Sequence, residues 1–272
     1  MDLGLRGRRA IVTGGSLGIG KAIARELARE GAEVVIVART KEQLEVAARD
    51  LTAETGQRVI PMVADVTSRA QVDGMVSQAT AELGGLDILV NSGSPPGGSP
   101  TATGPIETVV DEDLLHDFNV KYVGALRCAR AAIPHMKKQR WGRIINISGT
   151  NARNAGNLSG GARNTSLVHL TKTLAVQLGR FGITVNCIHP GTTRTERTPR
   201  LLAARAAELR LTPEEVERHD FAEDSLRGNA ICRMVDAAEI AYVAVFLASD
   251  KAWAISGELV VATGGAGRAV YY

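Results

Sequence analysis

The feature that most constrains this chain is a glycine-rich turn, Thr13-Gly14-Gly15-Ser16-Leu17-Gly18-Ile19-Gly20. A short apolar strand precedes it at residues 9–12, and residues 21–30 after it carry apolar side chains at helical spacing up to Gly31. One glycine permits the turn, one lets the backbone approach a phosphate, and one lets helix and strand pack closely. Because a second apolar strand follows at residues 33–38, the pattern predicts a βαβ unit. Its bare N–H groups are expected to bind the pyrophosphate of a dinucleotide.

Strand and helix patterns alternate along the rest of the chain. The predicted strands cover residues 9–12, 33–38, 58–63, 86–90, 142–147, 183–188 and 259–262. The predicted helices cover residues 21–30, 41–55, 71–83, 167–181 and 238–249, with a long one running through Ala125 and Ala132. A proline- and glycine-rich run at residues 95–100 interrupts the pattern. This order predicts the α/β class, a doubly wound parallel sheet of the Rossmann type. Neither a repeat nor a linker divides the chain, so one domain over residues 1–272 is expected.

Composition excludes several classes of function. Hydrophobic residues make up 44% of the chain and aromatic residues only 4%, so aliphatic side chains must build the core. The net charge is +3 and basic residues alternate with acidic ones, which favours neither nucleic acid nor a membrane surface as partner. Cys128, Cys187 and Cys232 are widely spaced, which predicts reduced thiols in a cytoplasm and no metal site. No segment reaches the ~20 apolar residues that a membrane span needs.

Several motifs occur together in one order along the chain. Asp65-Val66 follows the third predicted strand, Asn91-Ser92-Gly93-Ser94 follows the fourth, and Pro190-Gly191 lies four residues before Thr195. With the glycine turn, they resemble the short-chain dehydrogenase/reductase family over nearly the whole length. The resemblance implies a nicotinamide dinucleotide cofactor. The expected cofactor-binding residues are Gly14, Ser16, Leu17, Gly18, Ile19, Gly20, Arg39, Thr40, Asp65, Val66, Asn91, Gly93, Pro190, Gly191, Thr192 and Thr195.

The end of the second strand indicates which nicotinamide cofactor binds. An acidic residue there would accept hydrogen bonds from a free ribose 2′-hydroxyl and repel a 2′-phosphate. This chain has Ala38-Arg39-Thr40 instead. A guanidinium forms charge-assisted bonds to phosphate, and the hydroxyl of Thr40 can add another. We therefore expect NADP(H) rather than NAD(H), the alternative being that Arg39 is only a solvated cation.

The expected catalytic centre departs from the family. The resemblance implies a Tyr and, four residues later, a Lys that lowers the pKa of the phenol so that it can pass a proton while hydride moves. Counting back from the matching segment 170–174 places Gly160 and Asn164 at these two positions. Neither residue can do that chemistry, and no Tyr lies between Tyr122 and Tyr242.

Other residues are candidates for the catalytic work. Asn119 matches the family's Asn, whose role is to hold a helix bend and a water. Ser148 and Thr150 flank Gly149, which stands at the register of the family's Ser.

Ser159 and Arg163 repeat the Tyr–Lys spacing one position earlier, so they share a helix face. There Arg163 either stabilises a developing oxyanion or only bonds a neighbouring subunit or helix end. His189 is a further acid candidate or hydrogen-bonded structure, whereas His169 is expected to be a packed helix residue.

The segment at about residues 192–228 is expected to form a helical lid over the substrate, with a helix start at Pro213 after Thr212. Arg194, Arg197 and Arg200 stand at its entrance, where they either attract an anionic substrate or form a solvated basic loop.

These patterns predict an NADP(H)-dependent oxidoreductase that acts on a carbonyl, enone or imine of a small molecule, or on the corresponding alcohol. The active site is expected to be non-standard, with simple ketones reduced slowly unless another group replaces the missing acid. A non-redox lyase or isomerase on the same scaffold remains an alternative, as does a dinucleotide-binding protein with a regulatory role.

The resemblance also implies a homotetramer or homodimer, formed through the long helices beside the fifth strand and through the last strand. The small residues expected to allow close helix approach are Ala125, Ala129, Ala131, Ala132 and Ala175. In such an assembly Tyr271-Tyr272 is expected to reach a neighbouring subunit.

Overall fold

A computed structural model describes residues 1–94, 97–225 and 227–267 of the chain. Within them, a parallel sheet has the strand order β3-β2-β1-β4-β5-β6-β9, and β7 pairs with β8 beside it. The strands are β1 (Arg9–Thr13), β2 (Glu33–Ala38), β3 (Val59–Val63), β4 (Ile88–Asn91), β5 (Gly142–Ile147), β6 (Ile183–Pro190), β7 (Thr193–Arg194), β8 (Val235–Asp236) and β9 (Leu259–Ala262). The strand order reverses between β1 and β4, which is where ligands bind in such sheets. The predicted doubly wound α/β fold is confirmed.

Helices cover both faces of the sheet. They are α1 (Gly18–Arg29), α2 (Lys41–Thr55), α3 (Arg69–Leu83), α4 (Asp111–Phe118), α5 (Gly124–Gln139), α6 (Leu158–Leu178), α7 (Thr198–Leu209), α8 (Pro213–Asp220) and α9 (Ala237–Ala248). Val34 and Ile36 of β2 point into the core formed with α1, α2 and α9. Their neighbours Val35 and Val37 point into the core formed with α3, α5 and α6. Because successive strand side chains alternate between faces, a continuous apolar strand fills both cores.

The largest difference from the predicted elements is at α6, which begins at Leu158 instead of residue 167. Glycine and polar residues break the apolar periodicity of its first turns. The side chain of Asn157 caps the helix by accepting a hydrogen bond from the Gly160 N–H at 2.6 Å. In the predicted break at residues 95–100, Pro95 and Pro96 lie outside the described residues, and Pro100 begins a short 3₁₀ turn.

Between α4 and α5 the helix passes through one π-helical turn, Asn119–Val123. A π turn inserts an extra residue, so side chains beyond it point in a different direction from those of a regular helix. Val120 and Lys121 are buried there, with 8% of each residue exposed. The turn therefore places a lysine inside the protein.

The alanines expected at a subunit contact are mostly inside this chain. Ala125, Ala129, Ala132 and Ala175 are at most 9% exposed, and only Ala131 is partly accessible. Most of these methyl groups therefore pack within the chain, but Ala129 also lines a groove between α5 and α6, so a contact between subunits through these helices stays a prediction. The predicted Tyr271-Tyr272 contact lies outside the described residues.

Two predictions from composition concern absences. In the part of the chain that the structure describes, no helix is long and apolar enough to cross a membrane, and no cluster of His, Cys, Asp and Glu is arranged to hold a metal ion. Cys128 and Cys187 are buried and Cys232 is exposed, all as free thiols.

Candidate functional site

The glycine turn is held against the end of β2. The N–H groups of Gly14 and Gly15 donate to the carbonyl of Val37 at 2.8 and 3.3 Å. A Cβ on Gly14 would lie 2.8 Å from the Ser92 carbonyl oxygen, and one on Gly20 would lie 2.2 Å from that of Gly14. Gly18, which begins α1, has a φ of +58°. The turn therefore requires glycine and leaves backbone N–H groups at the positive end of a helix, which fits a dinucleotide pyrophosphate.

A cleft of about 560 Å³ opens at the carboxyl ends of the strands and continues from this turn. The predicted cofactor residues that line it are Gly14, Ser16, Leu17, Gly18, Ile19, Gly20, Arg39, Thr40, Asp65, Val66, Gly93, Pro190, Gly191 and Thr195.

Two predicted cofactor residues lie outside that lining. Asn91 points between strands, where its Nδ2 donates to Oδ1 of Asn146 at 2.9 Å. The carbonyl of the exposed Thr192 accepts from the N–H of Val235 at 3.1 Å. Both residues shape the backbone beside the cleft, and neither has its side chain on the wall.

Arg39 and Thr40 are exposed at the outer end of the cleft, where the sequence predicts the 2′-phosphate. Across the cleft, burial acts to raise the pKa of Asp65, but hydrogen bonds from Thr67 and the nearby charge of Arg39 outweigh it and lower that pKa. Asp65 is thus a carboxylate, and its Oδ1 accepts from the backbone N–H and the hydroxyl of Thr67 at 2.9 and 2.8 Å.

Ser159 and Arg163 share a helix face as predicted, and that face meets Asp117. The Ser159 hydroxyl donates to Oδ2 of Asp117 at 2.6 Å, and Nη1 of Arg163 lies 3.7 Å from the same oxygen. Burial alone would raise the pKa of Asp117, yet the hydrogen bonds from Ser159 and Ser99 and the charge of Arg163 lower it. Arg163 also lines the cleft. Ser159 does not line it and is 1% exposed.

The positions of the missing Tyr and Lys are filled differently. A Cβ on Gly160 would lie 2.5 Å from Nδ2 of Asn151 and 2.9 Å from Cγ of Asn157, so no larger side chain fits there without movement. Asn164 is 4% exposed and lines the cleft. Its Nδ2 would lie 2.8 Å from a Cβ on Gly149, which explains a glycine at that register. Among the described residues, Oδ1 of Asn164 has no hydrogen-bond partner.

Ser148 and Thr150 both line the cleft beyond the end of β5. Ser148 is buried, and its hydroxyl donates to the carbonyl of Asn164 at 3.0 Å. Thr150 is half-buried and begins a short 3₁₀ turn. Thr150 is thus more accessible to a ligand than Ser148.

Asn119 lies beside the cleft and Lys121 lines it, which changes the predicted role of this helix bend. The side-chain oxygen of Asn119 accepts from Nη1 of Arg127 at 2.8 Å, so its amide is held away from the site. The bend expected of Asn119 is present, but the side chain that the π turn directs into the cleft is Lys121. The role of Asn119 in the site therefore stays a prediction, and Lys121 is a further candidate beside it.

Lys121 is the ionisable residue that the sequence prediction missed. Its Nζ donates to the carbonyl of Ser148 at 3.0 Å. Burial first, and the nearby charge of Arg163 second, lower its pKa to about 7. The sequence carries only part of the signal: regular helical spacing aligns position 121 with Ala125, Cys128 and Ala132, but it does not show the π turn that directs Lys121 into the cleft. A lysine on such an apolar face is a candidate functional group.

The histidines behave differently from their predicted roles. His189 is completely buried, and neither ring nitrogen has a hydrogen-bond partner among the described residues. Burial, followed by the charges of Arg153 and Lys121, lowers its pKa to about 4, so its ring is neutral at pH 7 and is a poor acid. His169 is exposed on α6, and the prediction that it is packed is wrong.

The segment at residues 192–228 contains α7 and α8, as its helical pattern predicts. Arg205 joins the two helices by donating to Asp220 through Nε and Nη2, at 2.6 and 2.8 Å. Thr212 caps α8 reciprocally with Glu215. Of the three arginines at the entrance, Arg194 pairs with Glu217 and with Asp236.

Comparison with known proteins agrees with this geometry. The family model described as enoyl-(acyl carrier protein) reductase matches residues 14–267. The chain is 31% identical over 264 residues to the BbsD subunit of (2S)-[(R)-hydroxy(phenyl)methyl]succinyl-CoA dehydrogenase from Thauera aromatica, covering 97% of this chain and 98% of that one. It is 30% identical over 266 residues to the NADPH-dependent reductase BacG of Bacillus subtilis, with 97% and 99% covered.

A solved structure is also similar. L-Sorbose reductase from Gluconobacter frateurii, complexed with NADPH and L-sorbose, superimposes with a TM-score of 0.91 at 30% identity, covering 99% of this chain and 100% of that one. The fold, the glycine turn and these relatives agree, and the chain belongs to the short-chain dehydrogenase/reductase family.

Proposed function

We propose that this protein is an NADP(H)-dependent oxidoreductase that reduces a carbonyl, enone or imine of a small molecule, or oxidises the corresponding alcohol, with an active site that does not use a Tyr–Lys pair. The observation that carries the proposal is the single cleft that joins the glycine turn and Arg39 at one end to Ser148, Lys121 and Asn164 at the other. The named activities of BacG and L-sorbose reductase support the reductase class and the cofactor.

The cofactor is NADP(H), and it supplies hydride when it is bound. The chain's own part is to bind its pyrophosphate on the glycine turn, to hold the 2′-phosphate with Arg39 and Thr40, and to position the nicotinamide beside Pro190 and Gly191. Ser148, Thr150 and Asn164 would then contact the substrate at the inner end of the cleft.

We further propose that residues 192–228 form a lid on this single domain. Leu201 of α7 lines the cleft, yet it is 67% exposed. An apolar side chain at the mouth of a site gains burial when a ligand enters and the helix closes over it.

Self-association as a homotetramer or homodimer remains our proposal, through the same two long helices, α5 and α6, that the sequence predicts. A groove of about 380 Å³ runs between α5 and α6 on their outer faces, and its apolar lining includes Tyr122, Leu126, Ile133, Leu170 and Leu174. Light scattering should give a dimer or tetramer mass, and Leu126→Asp should lower it. A monomeric mass for the unmutated protein would contradict the proposal.

The function is tested by measuring NADPH consumption with simple ketones, activated enones and preformed iminium ions. Gly20→Ala should abolish NADPH binding and turnover, because its Cβ would lie 2.2 Å from the carbonyl oxygen of Gly14. Gly74→Ala is the matched control, since a Cβ there meets nothing within 4 Å. Tight NADPH binding with no turnover of any substrate class would favour the regulatory alternative over the oxidoreductase.

A further inference from the structure

The inner end of the cleft contains a buried lysine without a carboxylate partner. Lys121 is 8% exposed, and no carboxylate lies within ion-pair distance of its Nζ in the ranges 1–94, 97–225 and 227–267. The nearest acidic residue along the helix, Asp117, is bound by Ser159 and lies 3.7 Å from Nη1 of Arg163. Burying an unpaired ammonium costs several kcal/mol. A fold retains such a group where it has a function.

The contacts of Lys121 leave its ammonium able to bind a ligand. Nζ has three donor hydrogens, and the described contacts use one of them on the Ser148 carbonyl at 3.0 Å. Lys121 lines the cleft together with Asn164, whose Oδ1 has no partner in the described part of the chain. A substrate oxygen at this end of the cleft can therefore accept from Nζ, and a substrate hydroxyl can donate to the amide.

The other candidates for a proton donor are already engaged or unsuited. The hydroxyl of Ser159 donates to Asp117, and that of Ser148 donates to the carbonyl of Asn164. Arg163 does not release its proton at neutral pH, because a guanidinium is a very weak acid. His189 does not line the cleft and is neutral at pH 7.

We propose, on the basis of the proposed oxidoreductase function, that Lys121 is a catalytic residue of this site and donates the proton to the substrate oxygen during carbonyl reduction. The hydride comes from NADPH, which becomes NADP⁺, and forms the new C–H bond while the C=O π pair moves onto oxygen. The Lys121 ammonium transfers one proton to that oxygen, which gives the alcohol. The neutral amine then regains a proton from solvent.

The surroundings of Lys121 suit this role near neutral pH. Arg163 on α6 and Cys187 and His189 on β6 face it, with Asp117 held by Arg163 behind them. Burial keeps the pKa of Lys121 at about 7. A general acid works best when its pKa lies near the working pH. The value of kcat/KM for ketone reduction should therefore fall as pH rises above this value.

The proposal separates two substrate classes. A ketone needs a proton on oxygen, whereas a preformed N-alkyl iminium accepts hydride and becomes a neutral amine without any proton. Since general acid catalysis contributes ~10²–10⁴-fold, Lys121→Met should lower ketone kcat at least 100-fold. Iminium turnover and the dissociation constant for NADPH should change less than about threefold. Lys121→Arg keeps the positive charge, but its guanidinium does not release a proton near neutral pH, so this variant should lose ketone turnover in the same way.

The control is Lys138→Met, which removes an exposed lysine of α5 and should leave both substrates unaffected. A readout independent of turnover is NMR titration of protein with [¹³Cε]lysine. One lysine signal should titrate near neutral pH, respond to NADP⁺, and be missing from Lys121→Met. Circular dichroism establishes that each variant folds.

The outcomes distinguish this role from the proposed function. Unchanged ketone turnover in Lys121→Met would falsify the proton-donor role alone. Equal losses for ketone and iminium, lost NADPH binding, or a Lys121 signal that titrates with the surface lysines would also overturn it, because these results indicate a structural residue. If the unmutated protein binds NADPH and reduces neither class, the proposed function fails and the catalytic role of Lys121 fails with it.

Discussion

The carboxylate of Glu196 accepts a hydrogen bond from the backbone N–H of Gly18 at 2.8 Å. Glu196 belongs to the proposed lid, and Gly18 is the first residue of α1, whose N–H groups are expected to bind the cofactor pyrophosphate. The side chain thus places a negative charge where a diphosphate would accept the same bond. We therefore expect NADP(H) to displace this carboxylate when its diphosphate binds at the turn.

Replacing Glu196 by Gln should tighten NADPH binding severalfold, because the amide removes the charge that competes with the diphosphate. Fluorescence titration measures the dissociation constant. The gain should shrink at high salt, since screening weakens the repulsion that is removed. Glu223→Gln, at an exposed position of the same segment, serves as control and should change nothing. Weaker NADPH binding by Glu196→Gln would show that the carboxylate assists the cofactor.

Arg39→Ala should weaken NADPH binding roughly tenfold or more and leave NADH binding nearly unchanged. A charge-assisted hydrogen bond to the 2′-phosphate is worth ~1.5–3 kcal/mol, and NADH lacks that phosphate. Arg49 is an exposed arginine of α2, and Arg49→Ala is the matched control, which should leave NADPH binding unchanged. Equal affinities of the unmutated protein for NADPH and NADH would contradict the assigned role of Arg39.

Asp117→Asn should destabilise the protein by roughly 3–5 kcal/mol, because it leaves the buried Arg163 without its carboxylate. Urea denaturation at neutral pH measures the difference, with the exposed Glu112→Gln as control. The folded-state pKa of Asp117 is below its ordinary 3.8, so the carboxylate contributes stability above that pH. As pH falls through the folded-state pKa, the difference between variant and parent should shrink. If the stability difference between Asp117→Asn and its parent persisted in full at strongly acidic pH, the loss would come from altered packing or hydrogen bonding and not from the charge of the carboxylate.

The sheet and the cofactor end of the site could be predicted because each depends on a short segment. The continuous apolar run Val34–Val37 by itself indicates a buried strand. The glycines of the turn at residues 14–20 by themselves indicate its backbone geometry, because a Cβ on Gly14 or Gly20 would clash with backbone atoms. Arg39 directly follows β2, so its position at the cleft needs no tertiary information. Most of the predicted cofactor residues accordingly line the cleft.

The catalytic end could not be predicted in the same way because it depends on contacts between distant segments. Ser159 has the right helical spacing to Arg163, but only the fold shows that Asp117, 42 residues earlier, accepts its hydrogen bond. Lys121 enters the cleft because of a π turn, and one additional residue in a helical turn has no clear sequence signature. The motif predicts Asn119, whereas the π turn also places Lys121, two positions on, at the cleft.

Replacing Lys121 by Met should stabilise the protein, and the gain should depend on pH in a direction fixed by the two pKa values. The folded-state pKa is about 7, against 10.5 for an ordinary lysine. Below the lower value Lys121 is charged in both states, so the full cost of burying the ammonium is present. Between the two values the unfolded chain binds a proton that the folded chain does not, and the stability of the parent rises with pH.

The advantage of Lys121→Met in the free energy of unfolding should therefore be largest below pH 7, diminish through the alkaline range, and level off above 10.5. One pKa unit corresponds to about 1.4 kcal/mol, so the stability advantage of Lys121→Met should fall by several kcal/mol across this pH range. Urea denaturation of both proteins across this range measures it. Any effect of the Met side chain on packing is the same at every pH, so it cannot produce this pH dependence of the stability difference. Lys138→Met should differ from the parent by a small constant amount, and the same flat result for Lys121→Met would mean that Lys121 carries no buried charge.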